Sequence, residues 1–503
     1  MSRFLPPLLL AVGAFLCYGG GLIRDLGFYH DDWFFLSQMA AAPADFISRM
    51  IVILHNDPTE YARPVNVPLW AALYTWFGAE PLGWQAALLA THAALAWCVY
   101  AVLRRFESPR PLAFLGALAF LAYPSKDSTL FWCIDIIHPS SLLCYLSAYL
   151  LHLRYVETGR LWALALSALG VLLALGNYDQ CVLLFPVFLL TPVLCSEGVP
   201  RRVKIGFCVA AAASVAFVLY KTWIMPHVLG VAFNKKVAVS PFGAVKVYLA
   251  GLNANFGPRL AWFSLKAAAA AVFAAPLTAL AAVLLPWAAV KLDSREERAD
   301  CSSTSDSLAV LGGAVFVLGY LPIALSSYIP TPLNHQNRLN LVPALGAVLF
   351  LLGCLSGAPP KRLAAVRGLA GLCGFFLLAH GSFARVWAES TRRQREIQGQ
   401  VVANARDWSV QDTLLLRLPE RYVQDKAPVF DSSWDITGAV RVWLGDPERV
   451  ARVWSPRMKV GPEGITEPGE RTLTYDRLVY LDAETGRFGK VSFLDLKRMA
   501  PVK

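Results

Sequence analysis

Apolar stretches of membrane-spanning length recur along the first three-quarters of this sequence, and nothing else constrains its fold as strongly. A helix needs about 20 mainly apolar residues to cross a hydrocarbon core. Eleven runs approach that requirement, at approximately 4–23, 81–103, 111–124, 138–154, 161–177, 180–196, 204–224, 262–290, 308–326, 339–357 and 364–387. They are long, continuous and rich in Leu and Ala, which excludes the short alternating strands of an outer-membrane barrel. Composition agrees: 56% of the 503 residues are hydrophobic and only 16% charged, too apolar for a water-soluble globule. The expected fold class is therefore an all-α polytopic membrane protein of about eleven transmembrane helices carrying a small C-terminal extracytoplasmic α+β domain.

Orientation follows from where the basic residues fall. Arg3, Arg104, Arg105, Arg110, Arg154, Arg160, Arg201, Arg202, Lys204, the run from Lys291 to Arg298, Lys361, Arg362 and Arg367 occupy alternate loops, and such loops face the cytoplasm. The amino end is then inside and the tail outside. The first run is expected to be an uncleaved span rather than a secretory signal, because no small-residue cleavage site follows it. A net charge of +11 would suggest nucleic acid in a soluble protein. Here the loop asymmetry accounts for much of it, so the expected partners include membrane lipids and no nucleic acid. Ten cysteines show neither zinc spacing nor a disulfide framework. Two of them, Cys133 and Cys301, lie in loops.

The domain division is placed at 1–390 for the membrane part and 391–503 for the soluble part. "ESTRRQREIQGQVVANARDW" continues the last span as a polar helix. "TLLLRLP", "APVFD", "ARVWSP", "RLVYLD" and "KVSFLDL" read as short strands between Pro, Gly and Asp turns, and "DITGAVRVWLG" as a helix with an Asp cap. In the first outer loop, "ADFISRMIVILH" reads as an interfacial amphipathic helix and "PVNVPLWAALYTWFG" as a partly buried one.

That loop opens with "GFYHDDWFF", Gly27 to Phe35. Two adjacent ionised carboxylates repel by roughly 3 kcal/mol at about 5 Å and an effective dielectric near 20, and helix capping needs only one. Asp31 and Asp32 beside His30 therefore suggest a shared proton, a base of raised pKa or a metal site. The structural alternative is a capped interfacial helix with belt aromatics. Further on, "LHNDPTEYARPVN" adds His55, Asp57, Glu60, Tyr61 and Arg63. Other basic residues stand on the outer side against the usual bias: Lys126, Lys221, Lys235, Lys236, Arg259 and Arg338. Charge near the membrane is costly and marks function, although Lys126 could equally snorkel to headgroups. His92 and His380, inside spans, read as interhelical hydrogen-bonders.

The acidic pair, "YARPVN", the His92 to Ala96 face and "NRL" entering a late span together resemble the GT-C superfamily. These are polytopic glycosyltransferases similar to protein O-mannosyltransferases and the bacterial aminoarabinose transferase. The resemblance covers roughly residues 1–390 in layout; the tail matches no named family. It implies transfer of a sugar from a polyprenyl-phosphate carrier to a glycan, lipid or protein acceptor, at the outer face of a bacterial inner membrane. A first-loop acid would then act at the acceptor, a role that falls to Asp31 or Asp32, with Asp31 favoured. Displacing a lipid phosphate builds negative charge on its oxygens, so cations must wait there. The candidate substrate-binding residues are His30, Tyr61, Arg63, Lys126, Asp127, His138, Asp179, His335 and Arg338; Asp135 also faces outward. No cofactor is demanded, and a divalent cation, Mg or Mn, could neutralise the first-loop acids with His30, His55 or Asp57 completing its shell. Two other functions use the same donor class or the same membrane frame: a polysaccharide polymerase or ligase, and a transporter of lipid-linked sugars. A transporter should spread its charges across the bilayer depth, whereas here they gather at one face.

Overall fold

The computed structural model describes residues 4–190, 201–231, 240–291, 302–326, 328–355, 359–467 and 471–499. Lys235, Lys236, Cys301, the basic run after Lys291 and the far end of the run at 180–196 lie outside the described residues. The chain divides into two compact units: Met1–Arg24, Asp57–Leu69 and Gly83–Arg385 in one, Asp25–Asn56, Trp70–Leu82 and Val386–Lys503 in the other.

The first unit is helical. Among the described residues, six helical stretches are long and apolar enough to cross a membrane: Pro81–Arg105, Cys133–Thr158, Arg201–His227, Asp306–Ala324, His335–Leu355 and Ala364–Ala403. A seventh crossing is available from Pro241–Ala274 with Pro276–Ala288, which bend by 120° at Ala275. Leu5–Cys17, Arg110–Leu121 and Leu161–Asn177 are apolar but shorter. A multi-pass membrane protein is therefore the architecture, with six or seven full-length spans among the described residues against the eleven expected from hydropathy over the whole sequence.

Helices in hydrocarbon associate through close packing and interhelical hydrogen bonds rather than through a hydrophobic driving force, and both devices are present. Ser302–Ala324 lies against Leu341–Leu355 through Gly312 and Gly346; a Cβ on either would fall 2.2 or 2.3 Å from the facing backbone nitrogen. Ser141 Oγ donates to the Ala174 carbonyl at 2.8 Å and Ser167 Oγ to that of Ala148 at 2.8 Å, tying Ile137–Thr158 to Leu161–Asn177. His92 bonds the Thr129 carbonyl at 2.7 Å, as its reading required.

A buried polar ring fixes the turns at one end of these helices. Asn255 Nδ2 donates to Tyr320 OH (2.7 Å), Tyr320 OH to Asn340 Oδ1 (2.6 Å), Asn340 Nδ2 to the Ser125 carbonyl (2.7 Å), and Ser125 Oγ back to Asn255 Oδ1 (2.9 Å). Asn337 joins it to Asp127 and to the Ser128 amide. The His335–Asn340 turn is thereby clamped onto Pro124–Lys126.

The second unit is built on a four-stranded sheet. β1 (Thr413–Arg417) pairs in parallel with β2 (Val450–Val453) and β3 (Leu478–Asp482), and β4 (Phe488–Lys490) runs antiparallel at the β3 edge. The central strands are buried almost throughout, as parallel strands covered on both faces must be. The helix Ser433–Leu444 begins two residues before the expected "DITGAVRVWLG", with Asp435 reaching back to the Ser432 and Asp431 amides at 3.2 and 2.8 Å. "KVSFLDL" corrects an expectation. Its first residues end β4, but Phe493–Met499 is a helix, because Ser492 and Asp495 form a reciprocal cap that outweighs the β propensity of the run.

The loop helices Phe46–Asn56 and Asn66–Phe77 form where amphipathic patterning placed them. "GFYHDDWFF" packs with the tail. Its helix, Asp31–Ala41, lies on Ser433–Leu444, with Gly438 at the crossing: a Cβ there would sit 2.3 Å from the Trp33 carbonyl oxygen. Trp33 Nε1 donates to Gln394 Oε1 (3.1 Å), and Tyr29 OH donates to the Trp387 carbonyl (2.9 Å). Replacing Gly438 by Ala should help an isolated helix by about 1 kcal/mol, yet overpacking here should cost about 1–3 kcal/mol. The expected outcome for G438A is a lower melting temperature of the tail by scanning fluorimetry; an unchanged or higher one contradicts the close approach.

Candidate functional site

In the first unit, five turns bring charge together. Arg63 follows the Pro58–Ala62 turn, Asp135 and His138 straddle the start of Ile137–Thr158, Tyr178 and Asp179 follow Leu161–Asn177, and Arg338 lies in the clamped His335–Asn340 turn. Lys221 sits in a π-helical turn, Tyr220–Ile224, a local widening often found at functional sites.

The contacts form a chain of alternating sign. Lys221 Nζ lies 2.6 Å from Asp179 Oδ2. The Arg63 guanidinium lies over the Tyr178 ring at 5.0 Å and 3.5 Å from Glu60. His138 packs on Tyr178 with ring centroids 3.8 Å apart and places Nε2 3.6 Å from Asp135 Oδ1. Arg338 approaches the same oxygen at 4.0 Å, lies over the Trp132 ring at 5.0 Å, and donates to the His335 carbonyl at 2.7 Å. Both arginines thus rest on aromatic faces, with only long contacts to carboxylates. Burial works against the Arg63 charge, but Glu60, Tyr178 and Asp179 more than offset it and hold the guanidinium above its ordinary range. Burial likewise pushes the Asp179 carboxyl up; Lys221 and Arg63 outweigh that and keep it at about 2, so Asp179 is ionised at every physiological pH.

A cavity of about 320 Å³ opens beside this chain. Arg63, Tyr178, Asp179 and Tyr328 line its polar side, and Val182, Leu183, Ile323 and Leu325 its apolar side. A hollow with the Arg63 guanidinium in its polar wall and aliphatic side chains opposite suits an amphipathic anion.

Other expected site residues fall elsewhere. Lys126 and Asp127 are wholly buried: Lys126 Nζ donates to the Leu121 carbonyl at 3.0 Å, and Asp127 belongs to the Asn337 clamp. Burial pulls the Lys126 ammonium down to about 8. Tyr61 offers its carbonyl to Tyr220 OH at 2.7 Å, and His335 stands edge-on to Trp132. Asp135 and Lys221, conspicuous in the sequence as charge on the outer side but given no site role there, join the cluster, and so do Trp132 and Tyr178, whose only signal is an aromatic next to a span end.

The second unit holds the first-loop acids. His30 has a positive φ of 48°, rare for a residue with a side chain. Its ring Nδ1 lies 2.8 Å from Asp31 Oδ1 and its Nε2 3.6 Å from Asp431 Oδ2. Trp434 Nε1 donates to Asp31 Oδ1 at 2.9 Å. Asp32 is buried, and its Oδ2 accepts the Tyr29 amide at 2.8 Å, so one acid of the pair does cap the turn. The donor set does not fit a divalent cation: Asp31 Oδ1 accepts the Trp434 indole N–H and lies against His30 Nδ1, one oxygen of Asp32 takes the Tyr29 amide, and the described residues contain no group of three metal-ligating side chains in reach of one ion.

No protein-family model matches this sequence, and no curated protein does. Among solved structures, the chain is similar to ArnT from Cupriavidus metallidurans bound to undecaprenyl phosphate, at 13% identity over 90% of each chain with a TM-score of 0.47. It is also similar to ArnT from Cupriavidus metallidurans in the apo state, at 15% identity over 88% of each chain with a TM-score of 0.37.

Burial lowers the His30 imidazolium, but Asp31 and Asp431 outweigh it and raise its pKa from 6.5 to about 10. Burial also pushes the Asp435 carboxyl up to about 7 against the pull of His30. Below pH 6.5 folded and unfolded chains both protonate His30, and its contribution is complete; between 6.5 and about 10 only the folded chain keeps the proton, and stability falls as pH rises. Asp435, also raised, loses its share lower, from 3.8 to about 7. The melting temperature of the tail should therefore decline from pH 7 to pH 10, and His30→Gln should flatten that upper limb. A parallel decline in H30Q would show that His30 is not the titrating group.

Proposed function

We propose that this chain is a membrane glycosyltransferase, moving a sugar from a polyprenyl-phosphate carrier to a lipid, glycan or protein acceptor at the extracytoplasmic face of a bacterial inner membrane. In this reading the three shorter apolar helices bring the seven crossings to ten and the run at 180–196 supplies the eleventh, the amino end is cytoplasmic, and a soluble domain from about residue 391 projects outward. The observation that carries the reading is the pair Arg63 and Arg338. Both guanidiniums lie on aromatic rings with carboxylates no closer than 3.5 and 4.0 Å, and Tyr178 lies within electrostatic reach of both, beside a cavity with aliphatic walls. An isoprenoid phosphate needs that combination of charge and oil.

The chemistry then runs as a displacement. An acceptor oxygen or nitrogen forms a bond to the anomeric carbon while the bond from that carbon to the phosphate oxygen breaks, its electron pair leaving with the phosphate. Arginine donates to phosphate through a planar fork, and charge growing on the leaving oxygens strengthens those bonds in the transition state. Lys221, held by Asp179, adds a third cation to the same region. Asp31 takes the acceptor proton or orients the nucleophile; no metal enters any step.

Undecaprenyl phosphate is the probe. The full-length chain in nanodiscs should bind it, and Arg63→Ala or Arg338→Ala should each weaken binding about 10- to 100-fold, the range for one charge-assisted hydrogen bond. Affinities unchanged in both variants would end the reading. Offered a panel of undecaprenyl-phosphate-linked sugars with envelope extract as acceptor, D31N should release undecaprenyl phosphate at least about 100-fold more slowly than the parent.

A further inference from the structure

We propose that the tail completes the catalytic loop: Trp434 directly, and Asp431 through His30, are positioning residues that fix the rotamer and charge of Asp31. The inference rests on the role given to Asp31 above. It deepens that role by assigning the tail a part in the reaction.

Two contacts converge on one carboxylate oxygen. Asp31 Oδ1 receives the Trp434 indole N–H at 2.9 Å and lies 2.8 Å from His30 Nδ1. The His30 ring also stands edge-on to the Trp434 ring, with centroids 5.7 Å apart. On its far side, His30 Nε2 faces Asp431 Oδ2 at 3.6 Å, and Asp431 is itself hydrogen-bonded by Tyr422. The imidazole is thus held from both sides.

The backbone adds an independent sign. His30 adopts φ 48° and ψ −121°, a region that a non-glycine residue occupies only when its surroundings hold it there. A capped helix start does not require that conformation, because Asp32 already accepts the Tyr29 amide. What the strained backbone achieves is to turn the ring toward Asp31 and Asp431 together. The support beneath it is stiff: Asp435 reaches the amides of Asp431 and Ser432, and Gly438 brings Ser433–Leu444 into backbone contact with Trp33.

The Trp434 indole donor and the His30 ring against one oxygen favour one orientation of the carboxylate while leaving its side chain 35% exposed, so an acceptor can still reach it. Asp31, so oriented, can receive an acceptor N–H or O–H and take its proton as the bond to the anomeric carbon forms. Trp434 is itself 51% exposed, so the acceptor meets the indole as it meets the acid.

The test uses the full chain in nanodiscs, with release of undecaprenyl phosphate as the rate signal. Trp434→Phe keeps the ring and removes the N–H; it should lower kcat about 10-fold and leave KM for the lipid-linked sugar unchanged. Asp431→Asn should lower kcat similarly. In the Asp31→Asn background neither change should slow the residual rate further, since both act through the missing carboxylate. A merely structural role would instead lower the melting temperature and add its loss in either background. Carbodiimide labelling of Asp31, mapped by peptide mass spectrometry, needs no turnover: Trp434→Phe should raise it several-fold, with buried Asp32 as the internal reference. If D31N is inactive while W434F and D431N match the parent in rate and labelling, the positioning proposal falls and the catalytic reading survives. If D31N turns over normally, the catalytic reading falls, and with it this extension.

Discussion

A charge beside hydrocarbon must find a counter-charge, a dipole or a ring face, because losing water costs several kcal/mol per ion, and that requirement organises the polar end of the first unit. Glu60, Asp135 and Asp179 are matched by Arg63, Arg338 and Lys221, yet the matching is uneven. Lys221 and Asp179 form a tight pair at 2.6 Å, whereas the arginines keep their carboxylates at 3.5 and 4.0 Å and lean on Tyr178 and Trp132. A guanidinium bound by a ring face is stabilised without the ring taking up its in-plane N–H groups; Arg338 gives one of these to the His335 carbonyl and keeps the others for an anion. The unevenness separates cations that hold the fold from cations able to receive a ligand.

The same logic explains which sequence signals could be read and which could not. Apolar runs near 20 residues announce helices because no other element satisfies its own backbone in lipid, and helices formed along nearly all of them. Hydropathy does not say whether a run crosses. Arg110–Leu121 has 12 residues and Leu161–Asn177 has 17, while the stretch around Ala275 is apolar throughout yet turns by 120° at one residue. Length, bend and depth are settled by neighbouring helices, and a linear pattern carries no record of neighbours.

Arg63, His138, Asp179 and Arg338 could be anticipated because charge at a span end is expensive and therefore informative. Tyr178 and Trp132 could not, since aromatics at span ends are common belt residues; only the observed stacking separates these two from the rest. Lys126 shows the converse. Its charge was conspicuous in "AYPSKDS", but the chain folds it inward onto the Leu121 carbonyl. "GFYHDDWFF" raises the expectation that one acid of the pair caps and the other is free for another task, but which one caps is seen only in the structure, where Asp32 accepts the Tyr29 amide. Its partners lie about 400 residues away, beyond any local pattern, and the tail strands that bring Asp431 and Trp434 into position were visible only as strands.

Long-range pairing of this kind also accounts for the character of the tail. Its sheet is small, but β1 and β3 are buried along nearly their whole length, and the helix Ser433–Leu444 is capped, crossed at a glycine and backed by Trp443 against Trp33. Rigidity of that order is unnecessary in a passive appendage. A carboxylate that must meet a nucleophile in one orientation does need it, because a displacement of about 1 Å can cost on the order of 100-fold in rate. The strain at His30 is tolerable for the same reason: surrounding contacts that over-determine a backbone can hold it where an isolated loop would relax. On the proposed role of Asp31, the buried packing of the tail and the loop's unusual backbone serve one demand, that its carboxylate not move.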